Sequence, residues 1–177
     1  MKQNKEALRL TLSHKMSKEE ILAFAKNVNP YNCEEILPLI AEEDKELSAN
    51  VAHIFLNAGK GTEIWLSGQT QFIMEVIQTT THEKTRRLLL SILEKLKIDT
   101  ININVKFLNY CLDNIVSAKV PCAIRVLSMK LAFKQSAAYP ELLSELKTIL
   151  ETMQESMLAP SVRCARKNIL KKNNSLK

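Results

Sequence analysis

Arginine recurs at a regular interval along the chain. Arg87, Arg125 and Arg163 are each 38 residues apart, and Arg166 and Lys130 lie near them in the sequence. A guanidinium group carries a fixed positive charge and a planar set of N–H donors, which suits carboxylates and phosphates. The row therefore predicts a cationic surface for an acidic peptide, with a nucleic-acid backbone as the alternative ligand.

The same arginines also have a purely structural interpretation. Acidic residues stand twelve positions before each of them, at Glu75, Asp113 and Glu151. Such charges can pair locally or simply keep a helix face in water, and surface pairs contribute little to stability. Whether the arginines face a partner therefore depends on their exposure in the fold.

One aromatic residue could anchor a protein partner. Trp65 is the only tryptophan, and it lies between Ile64 and Leu66, close to Gly61 and Gly68. Tryptophan is frequent among the residues that dominate binding energy at protein interfaces. An exposed Trp65 would be such an anchor, whereas a buried Trp65 would fill the core between structural units.

The residue patterns do not indicate catalysis or metal binding. His14, His53 and His82 are far apart, and none has a partner at the spacing of metal ligands. The segment 57–62 contains two glycines, but it lacks the spacing of a phosphate-binding loop and a preceding strand. No serine or cysteine lies in a recognisable nucleophile motif. We therefore expect no catalytic, cofactor-binding or metal site, and a protein that is not an enzyme.

Cysteine usage and hydropathy predict a cytoplasmic protein. The four cysteines are scattered without a C-x-x-C pair, which favours reduced thiols over disulfides or a metal cluster. No apolar run approaches the roughly 20 residues of a membrane span. Arg9, His14 and Lys15 interrupt the N-terminal segment where a signal core would lie. We expect no membrane partner, and nothing in the sequence indicates the oligomeric state.

The composition indicates that these residues lie on helices. Apolar residues make up 46% and charged residues 25% of the 177 positions, and glycine occurs only three times. Because the chain is rich in helix formers such as leucine, lysine, glutamate and alanine, we predict an all-α protein. The net charge of +6 belongs to the C-terminal segment, where six basic residues and no acids follow Glu155.

Apolar residues follow the same interval as the arginines. With Asn50, Arg87, Arg125 and Arg163 as anchors, five columns of positions are apolar in all four repeats. Three columns lie 14, 13 and 10 residues before each anchor, on the first helix of a pair, and two lie two and six residues after it, on the second helix. These spacings place the apolar residues of each helix on one side of it. One helix pair cannot bury such a stripe alone, which predicts stacked repeats. The columns contain Ile36, Leu37, Ile40, Ala52 and Leu56, then Ile73, Met74, Ile77, Leu89 and Leu93, then Cys111, Leu112, Ile115, Leu127 and Leu131, and finally Ile149, Leu150, Met153, Ala165 and Ile169.

Turn and cap residues define the predicted boundaries. Ser17 and Glu20 form a capping box within an N-terminal cap at 1–28. Pro38 should kink the first helix of the first pair, Gly59 should close its second helix, and Gly68 should break the next one. We predict one domain with helix pairs at about 29–60, 61–98, 99–138 and 139–172, and a frayed tail at 173–177.

The helix pairs resemble HEAT repeats. Ile124-Arg125 and Val162-Arg163 open second helices, and Ala165 follows Arg163 by two residues, as the family favours. The resemblance covers about residues 30–172, and armadillo-like repeats are the neighbouring family. It implies a right-handed α-solenoid of about four antiparallel helix pairs whose second helices line the concave face.

These features together predict a non-catalytic scaffold for protein–protein interaction. The second helices would line a groove for a protein or acidic peptide, and Trp65 would be a separate aromatic anchor. The alternative is a nucleic-acid-binding protein that uses the same basic row and the C-terminal helix. The predicted groove residues are Arg87, Arg125, Arg163, Arg166 and Lys130.

Overall fold

The structure, a computed structural model, describes the backbone of residues 2–174 and the side chains of residues 6–173. All regular secondary structure within these residues is helical, which confirms the predicted all-α class. No helix in this part of the chain is both long and apolar enough to cross a lipid bilayer. The residues group into two compact units, where the sequence predicts one domain. The boundary lies at Leu96–Lys97, at the start of a connection that forms no helix.

The first unit contains seven α-helices among its described residues. They are α1 (Lys2–Leu12), α2 (Lys18–Asn27), α3 (Pro30–Ile36), α4 (Lys45–Leu56), α5 (Lys60–Ser67), α6 (Thr70–Thr79) and α7 (Glu83–Lys95), with a 3-10 helix (Leu37–Ala41) after α3. The second unit contains α8 (Val105–Val116), α9 (Cys122–Ser136), α10 (Pro140–Thr152), a 3-10 helix (Glu155–Met157) and α11 (Pro160–Asn174).

Local sequence signals determine where the first helices begin. The predicted capping box is present at α2, because the Ser17 hydroxyl accepts from the Glu20 N–H at 3.2 Å and the Glu20 carboxylate accepts from the Ser17 N–H at 2.7 Å. A second box of Asn29 and Asn32 opens α3, whose first residue is Pro30. Both boxes satisfy amides that have no partner within the helix.

Two of the three expected helix interruptions lie where the sequence places them. The helix before Pro38 ends at Ile36 and continues as a 3-10 helix, and α5 and α6 are separated at Gly68. Gly59 differs from the prediction. Helix α4 ends at Leu56, and Gly59 is the N-cap of α5 with φ −74°, so it does not close α4 in a left-handed conformation.

In the first unit, helix α4 packs against α1, α2 and α7. A buried pair of hydroxyls, Ser48 and Thr85, lies 3.0 Å apart between α4 and α7. The amide of Asn50 donates to the carbonyls of Leu12 at 2.9 Å and His14 at 2.8 Å. Asn50 therefore satisfies carbonyl groups at the C-terminal end of α1, which would otherwise lack partners.

In the second unit, helix α9 packs against α8, α10 and α11. The C-terminal end of α11 is held against the first turn of α10, because the buried amide of Asn173 donates to the Leu143 carbonyl at 2.9 Å. Asn173 is the first residue of the tail that the sequence predicts to be frayed, and this tertiary hydrogen bond holds it in the helix. Residues 175–177 of that tail lie outside the described residues.

The apolar columns form the inner stripe of both units. Fourteen of the twenty positions are buried and the other six are half-buried. Leu131 is buried as predicted, whereas Leu127 is only half-buried. The repeat spacing therefore identifies the side of each helix that faces its neighbours. The half-buried positions are Leu56, Leu112, Leu127, Ile149, Met153 and Ala165.

Candidate functional site

Arg125, at the centre of the predicted cationic row, is a structural residue. Its side chain is buried, with 7% of the residue exposed. Its Nε and Nη2 atoms donate to the Ile115 carbonyl at 3.2 and 2.9 Å, one residue before the end of α8. These two hydrogen bonds satisfy a carbonyl in the last turn of α8, where the helix dipole also favours a positive charge. Its burial excludes Arg125 from the predicted partner surface.

Arg166 has a similar local role. Its Nε donates to the Leu150 carbonyl in the last turn of α10 at 2.6 Å, and its Nη1 lies 3.4 Å from the Glu155 carboxylate. Only 15% of its side chain is exposed. In the first unit, Arg86 donates to the Thr80 carbonyl after α6 in the same manner. Arg86, Arg125 and Arg166 thus donate to carbonyls at helix ends, and Arg166 also pairs with an acid.

The remaining predicted groove residues are exposed and are divided between the two units. Arg87 lies on α7 in the first unit, whereas Lys130 and Arg163 lie on α9 and α11 in the second. Arg163 also donates to the Leu158 carbonyl at 3.2 Å. Of the five predicted residues, Lys130 alone lines a groove in the second unit.

That groove runs between α9 and α11 and has a volume of about 730 Å³. Phe133 and Ala137 from α9 and its C-terminal end form one wall, and Ala165 and Ile169 from α11 form the other. None of the lining residues in the described part of the chain is acidic. Three lysines and an asparagine complete the lining, namely Lys130, Lys171, Lys172 and Asn168. We call this site the α9/α11 groove.

Both walls of the α9/α11 groove are fixed by contacts outside it. Arg125 ties α9 to the end of α8, while Arg166 and Asn173 tie α11 to α10 at two places. Sequence reasoning missed Phe133 as a groove residue, because it lies outside the five apolar columns. It lies eight residues after Arg125, beyond the last column of that helix, so the repeat spacing contains no signal for it.

Trp65 is half-buried and lines a second depression, of about 400 Å³, in the first unit. Phe72 on α6 is also half-buried there, and Leu37 and Pro38 come from the 3-10 helix after α3. Polar groups are contributed by Glu34 and Gln69. We call this site the Trp65 notch. It leaves part of the tryptophan accessible, so the residue is neither fully buried nor freely exposed.

The environments of the titratable side chains differ between the two units. No group of three or more His, Cys, Asp or Glu side chains among them could hold a metal ion. Burial raises the pKa of the Cys111 thiol to about 12, which keeps it protonated and unreactive at neutral pH. Burial and the nearby cations Lys84, Arg87 and Lys18 lower the pKa of His53.

A comparison with protein families agrees with this architecture. A family model described as a HEAT repeat domain matches residues 8–173, which is most of the chain. No curated protein and no solved structure matches the chain. The match covers most of both units, including part of α1 and all of α2, which precede the first predicted helix pair.

Proposed function

Because the chain belongs to the HEAT-repeat family, we propose that it is a non-catalytic scaffold that binds an acidic, amphipathic segment of a partner protein. The proposed site is the α9/α11 groove. The observation that carries this proposal is the combination of an apolar floor with a rim of lysines and no acidic lining residue in the described structure.

The chemistry of the groove selects this class of ligand. Apolar side chains of a partner segment would cover Phe133, Ala165 and Ile169, which removes apolar surface from water. Carboxylates along the edges of the segment would lie near Lys130 and Lys172, which steers binding and fixes orientation. A volume of about 730 Å³ suits a few side chains of a helix.

Binding to nucleic acid is the competing proposal, and its support is weaker. It depends on a continuous row of exposed cations, but Arg125 is buried and Arg166 pairs with Glu155. An apolar floor also contributes little to contacts with a phosphate backbone. The protein partner is therefore proposed first, and nucleic acid is one outcome of the test.

The proposed ligand can be tested with a labelled, helical peptide that has leucines on one face and glutamates beside them. Lys130→Glu with Lys172→Glu should weaken binding about tenfold, because two charges at the rim are reversed. The matched control is Lys119→Glu with Lys167→Glu, which makes the same charge change at exposed positions of the same unit outside the groove. This control should change the affinity less than about threefold.

Two further ligands separate the alternatives. A peptide with the same glutamates but serine in place of leucine should bind much more weakly, because the apolar floor is then unused. DNA and RNA duplexes, assayed at low and high salt, test the competing proposal. Tighter binding to duplexes than to the peptide, with equal losses in the two lysine variants, would favour nucleic acid.

A cytoplasmic location is also part of the proposal. All four cysteines carry free thiols, and Cys122 and Cys164 are exposed. Exposed unpaired thiols suit a reducing compartment. Fractionation of cells that express the tagged chain would test this, and recovery in an oxidising compartment would contradict it.

A further inference from the structure

The Trp65 notch combines features that the proposed function does not use. It lies within the first unit, and its lining includes two aromatic residues, Trp65 and Phe72, and one carboxylate, Glu34. No basic residue belongs to its lining in the described part of the chain. Its charge is therefore opposite to that of the α9/α11 groove.

Hydrogen bonds around α5 hold Trp65 in place. The hydroxyl of the buried Thr62, one turn before Trp65, donates to the Val28 carbonyl at 3.2 Å. After Trp65 the chain turns tightly, because the Gly68 N–H donates to the Trp65 carbonyl at 3.0 Å. This turn starts α6 and brings Phe72 to the same depression. The aromatic lining is thus built by the fold before any ligand is bound.

Glu34 determines which ligand the notch accepts. A neutral apolar ligand would cover the edge of the notch and remove water from the carboxylate without replacing its interactions, which is unfavourable. An anionic ligand would be repelled by Glu34. A cation offsets the loss of water at Glu34, and it is also attracted to the faces of aromatic rings.

We propose that the Trp65 notch binds the cationic side chain of a lysine or arginine on a partner protein. The aliphatic stem of that side chain covers Leu37 and Pro38, and its charged end lies between the aromatic rings and Glu34. Lysine and arginine both carry an apolar stem and a charged end, which matches this lining. The site is separate from the α9/α11 groove, so its occupant is a second class of ligand for the scaffold.

The experiment uses the full chain and short peptides with blocked termini of the form Gly-X-Gly, where X is lysine, arginine or norleucine. Norleucine has the same apolar stem as lysine without the charge. Trp65 is the only tryptophan, so its emission reports on the notch directly. Lysine and arginine peptides should shift the emission saturably with Kd values of about 1–10 mM, and norleucine should bind at least about threefold more weakly.

Substitution at Glu34 tests the charge. Glu34→Gln should weaken binding of the lysine peptide about three- to tenfold. Glu35→Gln is the matched control, because Glu35 is an exposed neighbour on the same helix that does not line the notch. Glu35→Gln should leave the affinity within about twofold. Lys130→Glu with Lys172→Glu should also leave it unchanged, which separates this site from the groove.

Three results would overturn the proposal. The first is equal binding of the norleucine and lysine peptides, and the second is an equal effect of Glu34→Gln and Glu35→Gln on affinity. The third is no change in tryptophan emission at peptide concentrations up to about 20 mM. Both glutamates are exposed, so neither variant should unfold the chain, and circular dichroism verifies this.

Discussion

The two units follow the same apolar pattern but cover it to different extents. In the first unit, nine of the ten column positions are buried, and only Leu56 is half-buried. In the second unit, five of the ten are buried, and the rest are half-buried. The space that remains includes the α9/α11 groove, where Ala165 is a half-buried column residue. The spacing places residues on the inner stripe, but the adjacent helix decides how closely that stripe is covered.

The two candidate sites differ in charge as well as position. The α9/α11 groove lies between second helices of adjacent pairs and has lysines at its rim. The Trp65 notch lies on the 3-10 helix and the first helices α3, α5 and α6, and contains a carboxylate. A single scaffold can therefore offer two surfaces with opposite preferences. Equivalent repeat positions therefore differ in burial and in their surroundings, both between the two units and within the second unit.

The largest expected difference is in the column 14 residues before each anchor. Ile73 in the first unit is fully buried, and Ile149 in the second is half-buried. Ile73→Ala should lower the free energy of unfolding by about 3–4 kcal/mol, and Ile149→Ala by about 1–2 kcal/mol, because a cavity forms only where the site is fully enclosed. Urea unfolding followed by circular dichroism measures both. Equal losses would contradict the comparison between the units.

The arginine row provides the next comparison. Arg125→Met retains an apolar stem but leaves the buried Ile115 carbonyl without its two donors. We expect a loss of about 2–3 kcal/mol in the free energy of unfolding. Arg163→Met removes an exposed side chain from the equivalent repeat position together with its single hydrogen bond to the Leu158 carbonyl, and should cost less, about 0.5–1 kcal/mol. A small effect at Arg125 would mean that water replaces the guanidinium at the helix end.

The column two residues after each anchor tests the groove itself. Ala52 is fully buried in the first unit, whereas Ala165 lines the α9/α11 groove. Ala52→Leu should lower the free energy of unfolding by about 1–3 kcal/mol, because the core has no room for a larger side chain. Ala165→Leu should change stability by less than about 1 kcal/mol, since its side chain enters open space. It should also reduce binding of the acidic peptide by filling the groove.

Sequence reasoning predicted helix order and inner stripe well because both depend on local spacing. The second helices α7, α9 and α11 end within three residues of the predicted ends of their helix pairs, at 98, 138 and 172, and Ile73, Ile115 and Leu131 are buried. These features require only a period and caps.

The candidate sites were less predictable because they depend on contacts between helices. Spacing alone aligned Arg125 with Arg163, yet Arg125 is buried against the end of α8, whereas Arg163 is exposed and donates to the Leu158 carbonyl after the 3-10 helix. Phe133 lies outside every column, and Trp65 on α5 and Glu34 on α3 line the same notch only because those helices are neighbours. Such neighbours follow from the angles and distances between helices, which no repeat spacing contains.

The smallest expected effect concerns His53 on α4, and it tests the local electrostatics of the first unit. Burial and the cations Lys84, Arg87 and Lys18 lower its pKa below the ordinary value of 6.5. The unfolded chain therefore takes up a proton on His53 at a higher pH than the folded chain. The contribution of neutral His53 to the free energy of unfolding is therefore fully present above about pH 6.5, and it is lost as the pH decreases toward the folded-state pKa. His53→Gln should lose less stability between pH 7 and about pH 5, as measured by urea unfolding.

The cause of the lowered pKa of His53 can be tested separately from the effect of that pKa on stability. Lys84→Gln with Arg87→Gln removes two of the three cations and should raise the pKa of His53 in an NMR titration. Lys171→Gln with Lys172→Gln makes the same charge change in the second unit and should leave that pKa unchanged. If all variants titrate alike, burial alone accounts for the shift. The exposed cations of α7 would then have no measurable influence on α4, and the electrostatic contrast between the units would be confined to the α9/α11 groove and the Trp65 notch.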